Sequence, residues 1–302
     1  MKIFEIDCKD KNYPERLLKI KNYPSKLYAI GNIELLKSKY TVGIVGSRKC
    51  SEYGRKVAFE FAKEISENGI CIISGMAIGI DGQAHNAAIE EAGNTIAVLG
   101  CGFNQIYPKE NEWLFHKILE NCGCVISEYA PNVEVDKKNF PKRNRIISGL
   151  SDSILVVEAQ YRSGSSITVK YAKEEGKTIY AIPSNIYNNA GIGTNIMIQE
   201  GAKLVINPYE IIKDIKMCNN KGELECNYEN LNRFELTDNK KDKNIEKEYL
   251  PIYELLSNKP IHINEIAKIL NTTIQEIMPI VTMMEIKEYT FQIQTNYFVK
   301  KE

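Results

Sequence analysis

Residues 137–151 read Lys-Lys-Asn-Phe-Pro-Lys-Arg-Asn-Arg-Ile-Ile-Ser-Gly-Leu-Ser. Five of the fifteen are cations (Lys137, Lys138, Lys142, Arg143 and Arg145) and none is acidic, in a chain whose formal net charge is zero. One aromatic, Phe140, sits among them. Cations that meet phosphates and a ring that stacks on a base suit a polyanion with exposed bases, that is, single-stranded nucleic acid. A solvated basic edge on an amphipathic helix start is the plainer reading of the same residues. Arg143 and Arg145 carry a further alternative: either could hold the fold through a carboxylate pair, with Glu128 and Asp152 as candidate partners.

Three small-residue turns belong to the same chemistry. Gly46-Ser47-Arg48 follows an apolar run, so its amides and the next helix start could face a phosphate, with Arg48 as a bidentate donor. Gly75-Met-Ala-Ile-Gly79-Ile-Asp81 loosely resembles a dinucleotide fingerprint but lacks its glycine spacing. Asp81 has a local reason to be there as the cap of the helix that carries His85. Ser163-Gly164-Ser165-Ser-Ile-Thr168 opens another helix and is a third anion-suited start. For each turn the bland alternative is a tight strand-to-helix connection in which glycine allows close packing. His85 as a general base lacks an evident partner nucleophile, so no catalytic residue is assigned.

These turns need a scaffold that brings strand ends together. Candidate strands fall at Thr41–Val45, Ile70–Ser74, Thr95–Leu99, Cys124–Ser127, Ser153–Val157, Thr178–Ala181 and Lys203–Val205. Helical patterns lie between them near 52–67, 82–92, 111–121, 144–150, 165–175 and 194–200. The alternation predicts an α/β fold, a Rossmann-like and mostly parallel sheet with helices on both faces. Ligands of such sheets bind beyond the carboxyl ends of the strands, where the glycine turns sit. Residues 1–40 form a lead-in of short helical or extended pieces packed on the sheet, and residues 41–212 form the main domain. Residues 213–247 mix charges of both signs with few branched apolar residues, which predicts a flexible linker. Residues 250–302 regain apolar periodicity. Three short helices at Pro251–Ser257, Ile263–Leu270 and Thr273–Met284, then a hairpin over Tyr289–Val299, give the order of a winged helix.

Composition narrows the function classes. The 302 residues suffice for a large domain and a small one, with 43% hydrophobic and 26% charged residues. Zero net charge gives no global pull toward nucleic acid or membrane, so affinity must come from a local patch. Eight cysteines and three histidines contain no Cys-x-x-Cys pair, which argues against a zinc site; no metal or cofactor is expected. Free thiols in this number fit a reducing cytoplasm. The amino terminus has no apolar signal stretch, and no run reaches the roughly 20 apolar residues that span a bilayer.

Taken in order, the segments resemble the DprA/Smf family of bacterial DNA-processing proteins. The matching pieces are Tyr23-Pro-Ser-Lys-Leu-Tyr-Ala-Ile-Gly-Asn, Val45-Gly-Ser-Arg, Ser74-Gly-Met-Ala-Ile-Gly-Ile-Asp, Ser127-Glu-Tyr, Asn139-Phe-Pro-Lys-Arg-Asn-Arg-Ile-Ile-Ser-Gly-Leu-Ser, Val157-Glu-Ala with Ser163-Gly-Ser, and Ala181-Ile-Pro-Ser. The resemblance covers about residues 10–212 and, more weakly, 250–300. It implies an extended Rossmann-like domain that binds single-stranded DNA, forms a homodimer and delivers the strand to the RecA recombinase in transformation or recombination. It also implies phosphate contacts from Arg48 and from Lys137 or Lys138, and a base contact from Phe140. An amino-terminal helix-hairpin-helix-like domain of many relatives looks truncated or absent. In the winged-helix-like part, the recognition-helix candidate Thr273–Met284 has no Lys or Arg, so a protein-contact or dimer-stabilising role is expected over duplex reading.

An enzyme of the same Rossmann variant is the competing class. The nucleotide hydrolases of the lysine-decarboxylase-like group carry Pro-Gly-Gly-x-Gly-Thr-x-x-Glu, and alignment of Ser163–Thr168 puts Thr168 where that carboxylate should be. A hydroxyl cannot act as the general base at neutral pH. Glu158 lies earlier and would need a different geometry. A nucleotide sensor without catalysis is a third class. The expectation is therefore a non-enzymatic protein with Gly46, Ser47, Arg48, Gly75, Gly79, Lys137, Lys138, Phe140, Arg143, Arg145, Ser163, Gly164 and Ser165 at a single-stranded DNA site.

Overall fold

The computed structural model describes residues 2–91, 93–161, 163–219, 249–257, 260–287 and 289–300. The elements of the first unit are β1 (Phe4–Asp7), α1 (Glu15–Leu18), β2 (Lys26–Gly31), β3 (Thr41–Val45), α2 (Glu52–Glu67), β4 (Cys71–Ser74), α3 (Ile80–Glu91), β5 (Thr95–Leu99), α4 (Glu112–Glu120), β6 (Cys124–Ser127), α5 (Asn139–Leu150), β7 (Ser153–Val156), α6 (Ser165–Glu174), β8 (Thr178–Ala181), α7 (Ile192–Gln199), β9 (Lys203–Leu204) and α8 (Pro208–Asn219). They build one nine-stranded sheet in the order β1-β2-β6-β5-β4-β3-β7-β8-β9. The seven strands from β6 to β9 pair in parallel; β1 and β2 join antiparallel at one edge.

Helices cover both faces of the sheet, so its central strands carry almost unbroken apolar runs. Along β3 the side chains alternate between two cores. Val42 and Ile44 pack with Phe61, Ile65, Ile72 and Leu155, while Val45 packs with Ile73, Val98, Ile146 and Ile154. α2 starts at an N-cap, Ser51, whose hydroxyl accepts from the Gly54 amide at 3.1 Å. It stops before Gly69, whose φ of +75° ends the helix without a side-chain penalty.

Chain order reverses between β3 and β7: the path steps outward from β3 through β4, β5 and β6, returns through α5, and continues through β7 to β9. This is the switch point of a doubly wound sheet, where a crevice opens beyond the strand ends. The α/β class and the Rossmann-like, mostly parallel sheet are therefore observed.

Three expectations need correction. The lead-in is more than packing: Tyr28–Gly31 pair with Cys124–Ser127, so residues 1–40 extend the sheet itself. α5 begins at Asn139, because proline in a first turn gives up an amide that has no helical partner there. The expected linker begins too early. Residues 213–219 belong to α8, which buries Ile211, Ile212 and Ile215 against the sheet. Residues 220–248 of that linker lie outside the described residues.

The chain divides into two compact units, Met1–Cys226 and Asn227–Glu302. The second unit has α9 (Leu250–Leu255), β10 (Ile261–His262), α10 (Ile263–Ile269), α11 (Ile274–Ile286), β11 (Thr290–Gln294) and β12 (Tyr297–Lys300). Its strands form a separate antiparallel sheet, β10-β12-β11. Ile252, Ile263, Ile266, Ile277, Val281, Met284 and Phe298 form its own core. Three helices and a small antiparallel sheet thus make up this carboxy-terminal unit. No described helix is long and apolar enough to cross a membrane.

Candidate nucleic-acid interface

A cleft of about 550 Å³ opens beyond the carboxyl ends of β3 and β7. The β3–α2 loop gives Gly46, Ser47, Arg48 and Lys49; α5 and the residues before it give Lys137, Phe140, Arg143 and Asn144. Gln160, Ser163, Gly164, Ser165 and Thr168 close the other side at the start of α6. Of the residues singled out in the sequence, Gly46, Ser47, Arg48, Lys137, Phe140, Arg143, Ser163, Gly164 and Ser165 meet here. Gly75, Gly79, Lys138 and Arg145 are not part of its lining.

The cleft sets exposed cations beside a packed aromatic ring. Arg48, Lys49 and Lys137 are exposed, and none has a carboxylate at salt-bridge distance among the described residues. Phe140 is half-buried, with Gly100 so close beneath that a Cβ there would sit 2.8 Å from its Cδ1. Tyr107 packs on the same ring at 5.3 Å between centroids, tilted by 35°. The Arg48 and Arg143 guanidinium groups lie 5.8 Å and 6.0 Å from the ring centroid. Ring and cations thus share one surface.

Arg143 corrects its expected role. It is only 4% exposed, and its guanidinium donates to the carbonyls of Gly75 (2.8 Å) and Val98, at the ends of β4 and β5. Asp81 lies close enough to interact with it electrostatically and accepts from the Gly75 amide at 3.2 Å. Burial lowers Arg143 to about 10, opposed by Asp81, and burial raises Asp81 to about 6, opposed by Arg143. Arg143 therefore ties strand ends together and lends the cleft charge from behind; it is not a free phosphate clamp.

Arg145 is placed differently again. Its guanidinium pairs with Glu128 through two bonds of 2.8 Å and 2.6 Å and donates to the Asn22 carbonyl at 2.8 Å. The carboxylate pairing expected of one of these arginines is found here, while Asp152 pairs with Arg16 at 3.0 Å. Lys138 is exposed outside the cleft, which favours Lys137 of the two lysines.

The glycines also change meaning. A Cβ on Gly46 would lie 2.6 Å from Ile80 and 2.8 Å from the Glu158 carbonyl. Gly79, at φ +84°, would press on the Ser47 carbonyl, and a Cβ on Gly75 would meet Arg143 at 2.7 Å and Asp81 at 2.8 Å. Gly46 and Gly79 let the first two turns lock into each other, and Gly75 leaves room for the Arg143 and Asp81 side chains. The locking is seen in the Ile80 amide, which donates to the Ser47 carbonyl at 3.2 Å. Of the four glycines expected at the site, Gly164 faces open space, at the start of α6 where no side chain caps the helix.

The two residues weighed for catalysis are structural in their contacts. Glu158, 1% exposed, accepts from the Ser51 amide (2.7 Å), the Ser51 hydroxyl (2.8 Å) and Asn188 (3.2 Å) at the start of α2. His85 is fully buried, 2.7 Å from the Thr95 hydroxyl, and burial lowers its pKa to about 3. Among the described residues no cluster of His, Cys, Asp and Glu could hold a metal ion. Tyr107, Lys49, Asn144 and Gln160 belong to the cleft but were not anticipated. Tyr107 had a signal, an aromatic beside proline just beyond a predicted strand; the others look like ordinary surface residues until the fold gathers them.

The fold and cleft define a Rossmann-like protein with a cationic, aromatic-floored crevice at its switch point. The chain belongs to the DNA recombination-mediator protein A family, whose model matches residues 5–216. It is 42% identical to protein Smf of Escherichia coli over 68% of its length, and that match spans 54% of the relative. It is 39% identical to the DNA processing protein DprA of Bacillus subtilis over 70% of each chain. Among solved structures, DprA of Streptococcus pneumoniae superposes with a TM-score of 0.67 at 41% identity, covering 71% of this chain and 75% of that one. DprA of Helicobacter pylori, whose structure is described as giving insight into a single-stranded DNA binding mode, gives 0.66 at 29% identity, covering 72% and 97%.

Proposed function

We propose that the cleft binds single-stranded DNA without reading its sequence and that the protein serves DNA processing in transformation and recombination. The observation that carries this is the meeting of unpaired Arg48, Lys49 and Lys137 with the Phe140 ring in one crevice. Phosphates meet the cations, and a base stacks beside Phe140 and Tyr107, with no base-edge code required. The uncapped start of α6 at Gly164 and Ser165 supplies further amides for a phosphate. The relatives named for DNA processing, and the single-stranded DNA binding described for the Helicobacter pylori protein, support the same reading.

Three finer parts of the proposal rest on the family resemblance: delivery of the strand to a RecA recombinase, action as a homodimer, and a cytoplasmic setting without enzymatic activity. Light scattering tests the dimer, and strand-exchange assays with RecA test delivery.

The decisive experiment is fluorescence anisotropy of labelled oligo-dT over a salt series, with duplex and mononucleotides as competitors. Binding that weakens with salt and resists both competitors is expected. Arg48→Ala should weaken it about tenfold or more with an unchanged melting temperature, since the side chain is exposed. Unchanged affinity would misplace the phosphate site. Displacement or turnover of a mononucleotide would favour the nucleotide-sensor or hydrolase class instead.

A further inference from the structure

A second and larger cleft, about 1300 Å³, lies between the amino-terminal segment and the pair α5 and α6. Nine cations and four carboxylates line it, a local excess in a chain of zero net charge. Two of the carboxylates are already paired there, Asp152 with Arg16 (3.0 Å) and Glu175 with Lys177 (2.7 Å), whereas Glu174 and Lys170 are both exposed and stand 3.9 Å apart, at the limit of a salt bridge. Lys11, Lys19, Lys21 and Lys39 are exposed and have no carboxylate at salt-bridge distance among the described residues. A concave surface with a net excess of one sign focuses its field and gathers counter-charge.

This groove adjoins the first cleft along α5 and α6. Ile167 on α6 lines both, and the neighbours Asn144 and Arg145 on α5 line one each. The Arg145–Glu128 pair fixes the wall between them. α6 carries the path from its amino-terminal end at Gly164 toward Lys170 and Glu174. Its ten residues span about 15 Å, the reach of a few nucleotides. The lysines come from separate segments, Lys11, Lys19, Lys21 and Lys39 from the amino-terminal part and Lys170 from α6, and a groove of this size with several cations suits a chain of phosphates better than a single anion.

We infer that a single strand held in the Arg48–Phe140 cleft continues along α5 and α6 into this lysine groove, so that Lys19, Lys21 and Lys170 contact its outer phosphates. The inference rests on the proposed single-stranded DNA site and sets the length and path of the bound strand. Contacts are electrostatic and sequence-independent, and they add affinity only for strands long enough to reach.

The test compares oligo-dT of about 6 and about 20 nucleotides on the full chain and on a triple variant, Lys19→Glu, Lys21→Glu and Lys170→Glu. All three side chains are exposed, and circular dichroism checks that the variant folds. The long strand should lose about tenfold or more in affinity, and its slope of log K against log salt should flatten by about 2, three contacts at roughly 0.7 each. The short strand should be unaffected. If the long strand binds the variant as tightly as the wild type, the groove is not its path. If both lengths weaken equally, the lysines act only through their field and the path is overturned. If the short strand fails to bind the wild-type protein, the proposed function itself falls, a result separate from either.

Discussion

Arg143 and Arg145 stand two residues apart on α5 with the same charge, and the fold puts them to different uses. Arg145 holds Glu128 in a two-bond pair whose side chains are only 14% and 15% exposed. Arg145→Met should therefore cost about 1–3 kcal/mol, read from denaturant midpoints, because it leaves the carboxylate without its partner. Short-strand affinity should stay within about twofold, since Arg145 is outside the first cleft. His85 gives a pH signature. Burial lowers its pKa from the ordinary 6.5 to about 3, so between those values the unfolded chain binds a proton that the native state refuses. Stability therefore falls as pH drops through that window, by about 2 kcal/mol at pH 5 from this group alone. Asp81, raised from 3.8 to about 6, works in the opposite sense, gaining stability as pH falls across its own window. Unfolding of wild type and His85→Asn at pH 7.5 and 5 cancels Asp81 and isolates His85: the variant should be less acid-sensitive by about 2 kcal/mol. Equal acid sensitivity would mean that His85 is not held neutral. The sequence displays the basic run but not these separate uses, because side chains at i and i+2 on a helix point to different surroundings. Only the fold tells which one meets strand carbonyls and which one meets Glu128.

At the scale of elements, the glycine turns mark the right strand ends for a reason other than the one their composition suggests. β3, β5, β6 and β8 are found at the spans their β-branched runs predict, since burial on both faces leaves a plain apolar signature. β1 and β2 carry no such signature. They pair at the sheet edge, where Lys26, Tyr28 and Gly31 are partly exposed or exposed. α8 was likewise hidden, because its three buried isoleucines are interspersed with charges that resemble a linker. The first two turns are interlocked supports, and another glycine beyond a strand end, in the residues after β5, supports a ring of the cleft. That glycine is Gly100, and the Phe140 ring rests on it. Gly100→Ala should push the ring off its seat, cost about 1–3 kcal/mol in stability, and weaken oligo-dT binding. Fluorescence anisotropy and thermal melts on the same preparation check this. A variant that loses stability but keeps full affinity would show that the ring position does not matter to the strand.

At the scale of the whole molecule, a chain of zero net charge can attract a polyanion only through the local separation of its charges. Arg48, Lys49 and Lys137 are the exposed cations of the first cleft, whereas the Arg143 guanidinium is buried and donates to carbonyls. Three released counterion contacts predict a slope of log K against log salt of about −2 for a short oligo-dT. The second unit should not contribute to that slope. Its helix α11 has no Lys or Arg, and Glu276 accepts from the Thr273 amide at 3.1 Å at the helix start, where a duplex reader would present donors. Ile274, Met278, Met283 and Ile286 are exposed along α11, as are Phe291 and Ile293 on β11, a surface suited to protein and not to phosphate. Each unit has a core of its own, so the chain ending at residue 219 should fold. It should bind short oligo-dT within about threefold of the full chain and with the same salt slope. If the fragment folds but its slope flattens, cations of the second unit take part in holding the strand, and the division of labour between the two units has to be redrawn around α11 and β11.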